Sequence, residues 1–382
     1  MRVVWEASSL LPPRTGVGRY AFALMRALLK RGEADAEFHL VWRSMRRSLS
    51  DADCAALEGA QLHSGTWPPG PILQEAWHWI GKPRIERLAG LNGADLLHGV
   101  AAILPASRAR AAVLTVHDLH FMRHPEHAHL LGGKFLRRHL PRAVKRSTRV
   151  IVPSEATARD CEALLGVDRG RLAVIPHGGA EEFATPPSDE AWERFEKHSP
   201  NLPARFWLTV ATIEPRKNLG ALLDAIEILR GRESEAANLL LAGGHGWGAS
   251  RIENRLVALH EEELVHSVGH VDTEWLRCAL RRAEGLVMPS LAEGFGLPLL
   301  EAMASGCPVL CSDIPVFHEV TGDNALFFDP HRPESIADAL HSAFQNRPAQ
   351  SARAERARAF IAPFTWARAA ERTLEVYREA LQ

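Results

Sequence analysis

The sequence predicts an α/β protein of two Rossmann-like halves, each a parallel sheet with helices on both faces. Three observations predict it. Short apolar runs alternate with longer amphipathic stretches, which is the signature of strand–helix–strand units. The alternation restarts once, near residue 207. The chain has 382 residues, too many for one ordinary core and suited to two domains of roughly 150–200 residues.

In the first half, residues 2–5, 38–42, 96–97, 112–116, 150–152 and 172–175 read as strands. Residues 18–31 read as a helix, because Tyr20, Leu24, Ala27 and Leu28 recur on one face. In the second half the strands are 207–210, 239–241, 265–269, 285–288, 308–310 and 325–328, and residues 222–230 read as the helix after the first of them. Between the halves, Ala184-Thr185-Pro186-Pro187-Ser188-Asp189 has linker composition. This sets an N-terminal domain at 1–185 and a C-terminal domain at 190–365. Thr365 is placed to cap a last helix over 366–382, with Leu374, Tyr377 and Leu381 at helical spacing.

Apolar residues are 46% and charged residues 24%, an ordinary globular composition. No run of about 18 uncharged apolar residues occurs, and a charge follows at once after Met1. Five cysteines form no CxxC pair. A reduced, cytoplasmic setting is the expectation. Net charge is −1, unevenly spread: residues 1–170 carry 24 Lys and Arg against 16 Asp and Glu, residues 171–382 carry 21 against 30. A basic first half fits an anionic partner, a lipid surface or a phosphorylated acceptor. Lys134, Arg137, Arg138, Arg142, Lys145, Arg146 and Arg149 cluster with interleaved apolar residues, as in helices that lie on anionic membranes. Arg43, Arg46 and Arg47 add a smaller basic patch. Nucleic-acid binding is disfavoured, since only two tyrosines and no readout motif are present.

Four segments carry chemistry. In Pro289-Ser290-Leu291-Ala292-Glu293-Gly294-Phe295-Gly296-Leu297-Pro298-Leu299-Leu300-Glu301, a strand enters a glycine loop and then a helix with Pro298 in its first turn. Gly294 and Gly296 let backbone approach a ligand, and the N–H groups around Phe295–Leu299 with the helix dipole favour an anion. Glu293 on the loop and Glu301 in the first helical turn offer two carboxylates to a hydroxyl-rich sugar. In Thr212-Ile213-Glu214-Pro215-Arg216-Lys217-Asn218, Arg216 and Lys217 stand at a strand-to-helix turn and suit a diphosphate. Gly16 and Gly18, between the first strand and first helix, allow approach to a phosphate. Ala21 stands where the dinucleotide fingerprint wants its third glycine, so hydride transfer is disfavoured. His117 and Asp118 follow a buried strand; His117 can bond a sugar hydroxyl or phosphate, with Asp118 orienting it or acting alone. The later His120, His124, His127 and His129 lack metal-site spacing, and Pro125 interrupts any helix that would align them. No metal and no cofactor is expected.

These segments, in this order, resemble the retaining family 4 glycosyltransferases of the GT-B fold, in which two Rossmann-like domains face each other across a cleft. The resemblance implies a hexose donor carried on a nucleoside diphosphate and transferred with retention, without metal, to a glycan or polyprenyl-phosphate-linked acceptor at the inner face of the membrane. It implies that Glu293 contacts the donor sugar and Glu301 the ribose, that Arg216 and Lys217 hold the diphosphate, and that Gly16 and Gly18 approach the donor phosphates. His117 resembles the strand-end histidine near the reacting carbon. The Thr-Ile-Glu-Pro-Arg-Lys-Asn variant is similar to that of bacterial mannosyl- and rhamnosyltransferases of surface-polysaccharide assembly. GDP-mannose is the favoured donor, with dTDP-, GDP- or UDP-linked rhamnose or glucose as alternatives. A nucleotide-sugar epimerase and a non-catalytic sugar-nucleotide-binding subunit are the rivals from other classes.

Overall fold

A computed structural model describes residues 1–32, 36–44, 47–65, 70–127, 130–199, 201–244, 246 and 250–382. Arg46 and His129 lie outside them. The chain folds into two units. The first comprises Met1–Pro125, Leu130–Gly178 and Thr365–Gln382, and the second Glu126–His129 and Gly179–Phe364.

The first unit holds a parallel sheet of β1 (Arg2–Glu6), β2 (Glu37–Arg43), β3 (Gln61–Gly65), β4 (Leu96–Gly99), β5 (Ala111–Thr115), β6 (Arg149–Val152) and β7 (Leu172–Val174). Their spatial order is β3-β2-β1-β4-β5-β6-β7. β1 shows why it is central: Val3 and Trp5 pack into one core and Val4 into another, as alternate residues of a strand covered on both faces must. The helix Gly16–Arg31 buries Tyr20, Ala21, Leu24, Met25 and Leu28 on that first core. β3 escapes the sequence reading. It is a half-exposed edge strand, Gln-Leu-His-Ser-Gly, without an apolar run.

The last helix, Trp366–Leu381, returns to the first unit, and Thr365 caps it by accepting from the Arg368 N–H at 3.2 Å. Tyr377 is fully buried. Its hydroxyl accepts from Trp5 Nε1 at 3.0 Å and lies 2.6 Å from His98 Nδ1, whose Nε2 is 2.9 Å from Thr115 Oγ1. Burial, with His117 nearby, holds the His98 imidazole at about 3, hence neutral.

The second unit repeats the plan with β8 (Trp207–Val210), β9 (Leu239–Ala242), β10 (Val265–Gly269), β11 (Gly285–Met288), β12 (Val309–Ser312) and β13 (Leu326–Phe328), in the order β10-β9-β8-β11-β12-β13. Both sheets therefore reverse direction beside their first strand, between β1 and β4 and between β8 and β11. In open parallel sheets ligands bind beyond the carboxyl ends of the strands at such a reversal.

The unit boundary corrects the expected one. The changeover is at Gly178–Gly179, and the proline-rich stretch is held fast by the second unit. The helix Ala180–Ala184 packs on the helix Leu297–Ser305, with Phe183 buried. Arg281 donates to the carbonyls of Phe183, Ala184 and Thr185, and Arg277 to those of Thr185 and Pro186. Composition marks this stretch as irregular, but two arginines distant in sequence satisfy its backbone and tie it down.

Candidate active site

The reversal of the second sheet brings two of the four segments together. β8 leads into a single tight turn, Pro215–Lys217, entered at Glu214 and left at Asn218, whose φ of 54° lies in the left-handed region. The Asn218 side chain donates to the Pro330 carbonyl at 2.7 Å, which pins the turn, and the helix Leu219–Arg232 follows. β11, the neighbour of β8, leads into the loop 289–296. The Leu291 N–H donates to the Arg216 carbonyl at 2.9 Å and joins the two loops.

Their side chains form one ion cluster. Arg216 Nη1 donates to Glu293 Oε2 at 2.6 Å and to the Ala292 carbonyl at 3.0 Å. Lys217 Nζ meets the other Glu293 oxygen at 2.5 Å. Arg216 also donates through Nε and Nη2 to Glu214 Oε1, at 3.1 and 2.8 Å. The Glu293 side chain is only 9% exposed. Burial alone would raise its pKa, but the Arg216 and Lys217 charges outweigh that and hold the carboxyl at about 2. Two cations face two carboxylates, so the cluster is close to neutral as it stands.

The rest of the loop builds a helix N-terminus. Gly296 has φ +107°, and a Cβ there would lie 3.1 Å from Phe317 and 3.2 Å from Leu299, so glycine alone suits it. Gly294 and Phe295 are buried and Leu297 is half-buried. The Phe295 ring lies 6.2 Å from that of Phe364; its side chain packs inside the unit, leaving backbone as what this residue can offer a ligand. The helix Leu297–Ser305 has no side-chain cap and no acidic residue in its first turn. Glu301 is its fifth residue and so begins the second turn, one turn deeper than expected, because the helix starts at Leu297. Glu301 is nevertheless 2% exposed, an unusual place for a carboxylate and a mark of functional sites.

Gly16, Gly18, His117 and Asp118 belong to the first unit. Gly16 and Gly18 are not in a loop: the first helix already begins at Gly16. A Cβ on Gly18 would come 2.4 Å from the Ser9 carbonyl oxygen, so the fold itself uses that close approach, while Gly16 has open space around it. His117 Nε2 donates to the Val100 carbonyl at 2.9 Å, which leaves Nδ1 as the acceptor of the neutral ring. Burial lowers its pKa, and the Val100 bond and the Asp118 charge oppose this. Asp118 does not orient the ring. Its Oδ1 accepts from the His120 N–H at 3.2 Å and closes its own turn. Sequence reasoning assigned no role to Tyr20 and Trp366, whose rings surround His177, with Tyr20 also edge-on to His117 at 4.7 Å. It also gave Glu214 none, although an acid two residues before Arg216 is a readable signal. Among the described residues no three His, Cys, Asp or Glu stand together so as to hold a metal ion, and no helix is long and apolar enough to cross a membrane.

Comparison with known proteins agrees with this layout. Residues 14–179 match the model of Glycosyltransferase Family 4, and residues 190–360 that of Glycosyl transferases group 1. The chain is 25% identical to O-antigen chain mannosyltransferase B of Escherichia coli over 382 residues, 99% of this chain and 100% of that one. Among solved structures, the sucrose-phosphate synthase of Thermosynechococcus elongatus superposes with a TM-score of 0.76 at 19% identity, covering 99% of this chain and 98% of the other. WaaG, a glycosyltransferase involved in lipopolysaccharide biosynthesis, superposes at 0.72 and 17% identity, covering 99% of each. With the reversed parallel sheets and the basic turn beside a glutamate loop, these matches place the chain in family 4 of the glycosyltransferases, with the GT-B fold.

Proposed function

We propose that the protein transfers a hexose with retention from a nucleoside diphosphate, mannose from GDP-mannose being favoured, to a glycan or polyprenyl-phosphate-linked acceptor in surface-polysaccharide assembly. The observation that carries this reading is the Arg216–Glu293–Lys217 cluster at the β8/β11 reversal. Two fixed cations there suit the charge that grows on a departing diphosphate, so the chain's own residues can do what a metal does elsewhere. Glu293 would then take hydroxyls of the donor sugar and Glu301 those of the ribose. His117, with Nδ1 as acceptor, would bond a sugar hydroxyl. The leaving phosphate would take the acceptor's proton. The full-length likeness to an O-antigen chain mannosyltransferase favours mannose and a surface polysaccharide, and the basic first half favours a lipid-linked acceptor at the inner face of an anionic membrane.

The test is a thermal-shift and calorimetric screen against GDP, UDP, dTDP and ADP and their sugars, with and without EDTA. Selective stabilisation by GDP-mannose, unchanged by EDTA, is expected. Selective response to another nucleotide sugar would move the donor assignment, and loss of turnover with EDTA would refute metal independence. Incubation with donor alone separates the rivals: an epimerase converts it without acceptor, whereas a transferase leaves its sugar unchanged. The anomeric configuration of the product, read by NMR, decides retention.

A further inference from the structure

The helix Gly70–Trp79 of the first unit is apolar on two sides. One side buries Leu73 and Trp77 against Ala106, Leu88 and Ile103. The other leaves Ile72 at 59% and Trp79 at 57% exposed, and Ile80, just past the helix end, at 71%. Ile72 and Trp79 are seven residues apart, two turns, so they share a face. Three large apolar side chains in water at one place are costly to solubility and mark an interaction surface.

A neighbouring element tells what kind. Arg138 and Arg142, one turn apart on the helix Leu130–Arg146, hold their guanidinium carbons 5.0 and 6.0 Å from the Trp79 ring centre. Lys134, Arg138, Arg142 and Lys145 are all exposed and fall at spacings of four, four and three, which makes one stripe on that helix. The chain carries no Asp or Glu between Glu126 and Glu155. Glu75, the acid of the apolar helix, is engaged: it accepts from Trp79 Nε1 at 2.8 Å and meets His139 Nε2 at 3.0 Å, which also fixes how the indole is presented. An indole and two isoleucines edged by a one-signed basic stripe match the two layers of an anionic bilayer: acyl chains below, phosphates around.

We propose that Ile72, Trp79 and Ile80 insert into an anionic lipid surface while Arg138, Arg142 and the flanking lysines bind its phosphates. This deepens the membrane-facing part of the functional reading and rests on it. Each basic residue near such a surface gains roughly five-fold in binding, about 1 kcal/mol. Losing two should cost about 25-fold, and removing the apolar tip at least as much.

The experiment is co-sedimentation of the full chain with vesicles of phosphatidylcholine containing about a third phosphatidylglycerol, and with pure phosphatidylcholine vesicles. The wild type should bind the first, release in high salt, and ignore the second. The variant Trp79→Ser/Ile80→Ser and the variant Arg138→Gln/Arg142→Gln should each lose binding by more than about ten-fold. Val257→Ser, which removes an exposed apolar side chain of the second unit, should bind like wild type. Melting curves and GDP-mannose stabilisation on the same preparations show that the variants are folded and test the donor site separately. A wild type that ignores anionic vesicles, variants that bind as well as wild type, or a tip that instead drives self-association lost in Trp79→Ser/Ile80→Ser would each overturn the proposal. If vesicles fail while the nucleotide sugar still stabilises, only the surface falls.

Discussion

Glu293→Gln asks the ion cluster a quantitative question. Glutamine is a neutral isostere of the protonated carboxyl. The cost of the change is therefore close to the preference of the native site for the ionised form. That carboxyl sits at about 2, against an ordinary 4.5, which corresponds to on the order of 3 kcal/mol. The sign follows from a depressed pKa: the stabilisation is complete above pH 4.5 and is lost as the pH falls toward 2, so at neutral pH the variant forfeits all of it. For a unit of this size 3 kcal/mol lowers the melting temperature by roughly 6–12 °C. Ligand binding should run the other way. Wild-type Glu293 is a tethered anion bonded to the two cations proposed to hold a diphosphate. In the variant the Glu293 charge facing Arg216 and Lys217 is gone, while Arg216 keeps its bonds to Glu214. A nucleoside diphosphate should bind the variant more tightly, by about ten-fold if half of that energy is recovered, and should restore its melting temperature by mass action. Turnover should fall, because a contact to the sugar is lost. The assay is differential scanning fluorimetry with titration calorimetry against GDP. A variant as stable as wild type and with unchanged GDP affinity would refute the idea that Glu293 competes with the diphosphate.

Three further outcomes are expected. Glu301→Ala should weaken donor binding by about 1–3 kcal/mol, a lost buried charge-assisted bond, while Lys217→Ala should mainly lower kcat; steady-state kinetics with the true donor would show wild-type values for both if the site were elsewhere. Tyr377→Phe keeps the ring but removes the hydroxyl that Trp5 Nε1 and His98 Nδ1 meet, and should cost about 1–3 kcal/mol in urea unfolding; no loss would mean the last helix is held by apolar packing alone. His98 is held at about 3, and burial also lowers His117 and His177. An unfolded histidine takes up its proton near 6.5, so stability should be full above that pH and fall between about 6.5 and 3, by about 1.4 kcal/mol per pH unit for His98 alone. Melting temperatures that stay level from pH 7 to 5 would contradict neutral burial of these rings.

The two α/β halves and the short segments that meet in the ion cluster are legible in the sequence. Both are local properties. Central strands carry continuous apolar runs, such as 3–5 and 239–241, because a strand covered on both faces must. Arg216 with Lys217, and Glu293 with Gly296, each lie within one strand-to-helix turn, so neighbouring residues suffice to recognise them. The rest depends on partners distant in the chain. β3 is a strand because β2 pairs with it, not because its own residues are apolar. The proline-rich stretch is a bound strap because Arg277 and Arg281 claim its carbonyls. Gly18 is small for the sake of Ser9, and Asp118 serves the His120 N–H in place of His117. The Trp5–Tyr377–His98 network joins residues up to 372 positions apart, and no window on the sequence spans that. The ion cluster itself needed β8 and β11 to be neighbours, and it is the reversal of strand order, a property of the whole sheet, that makes them so.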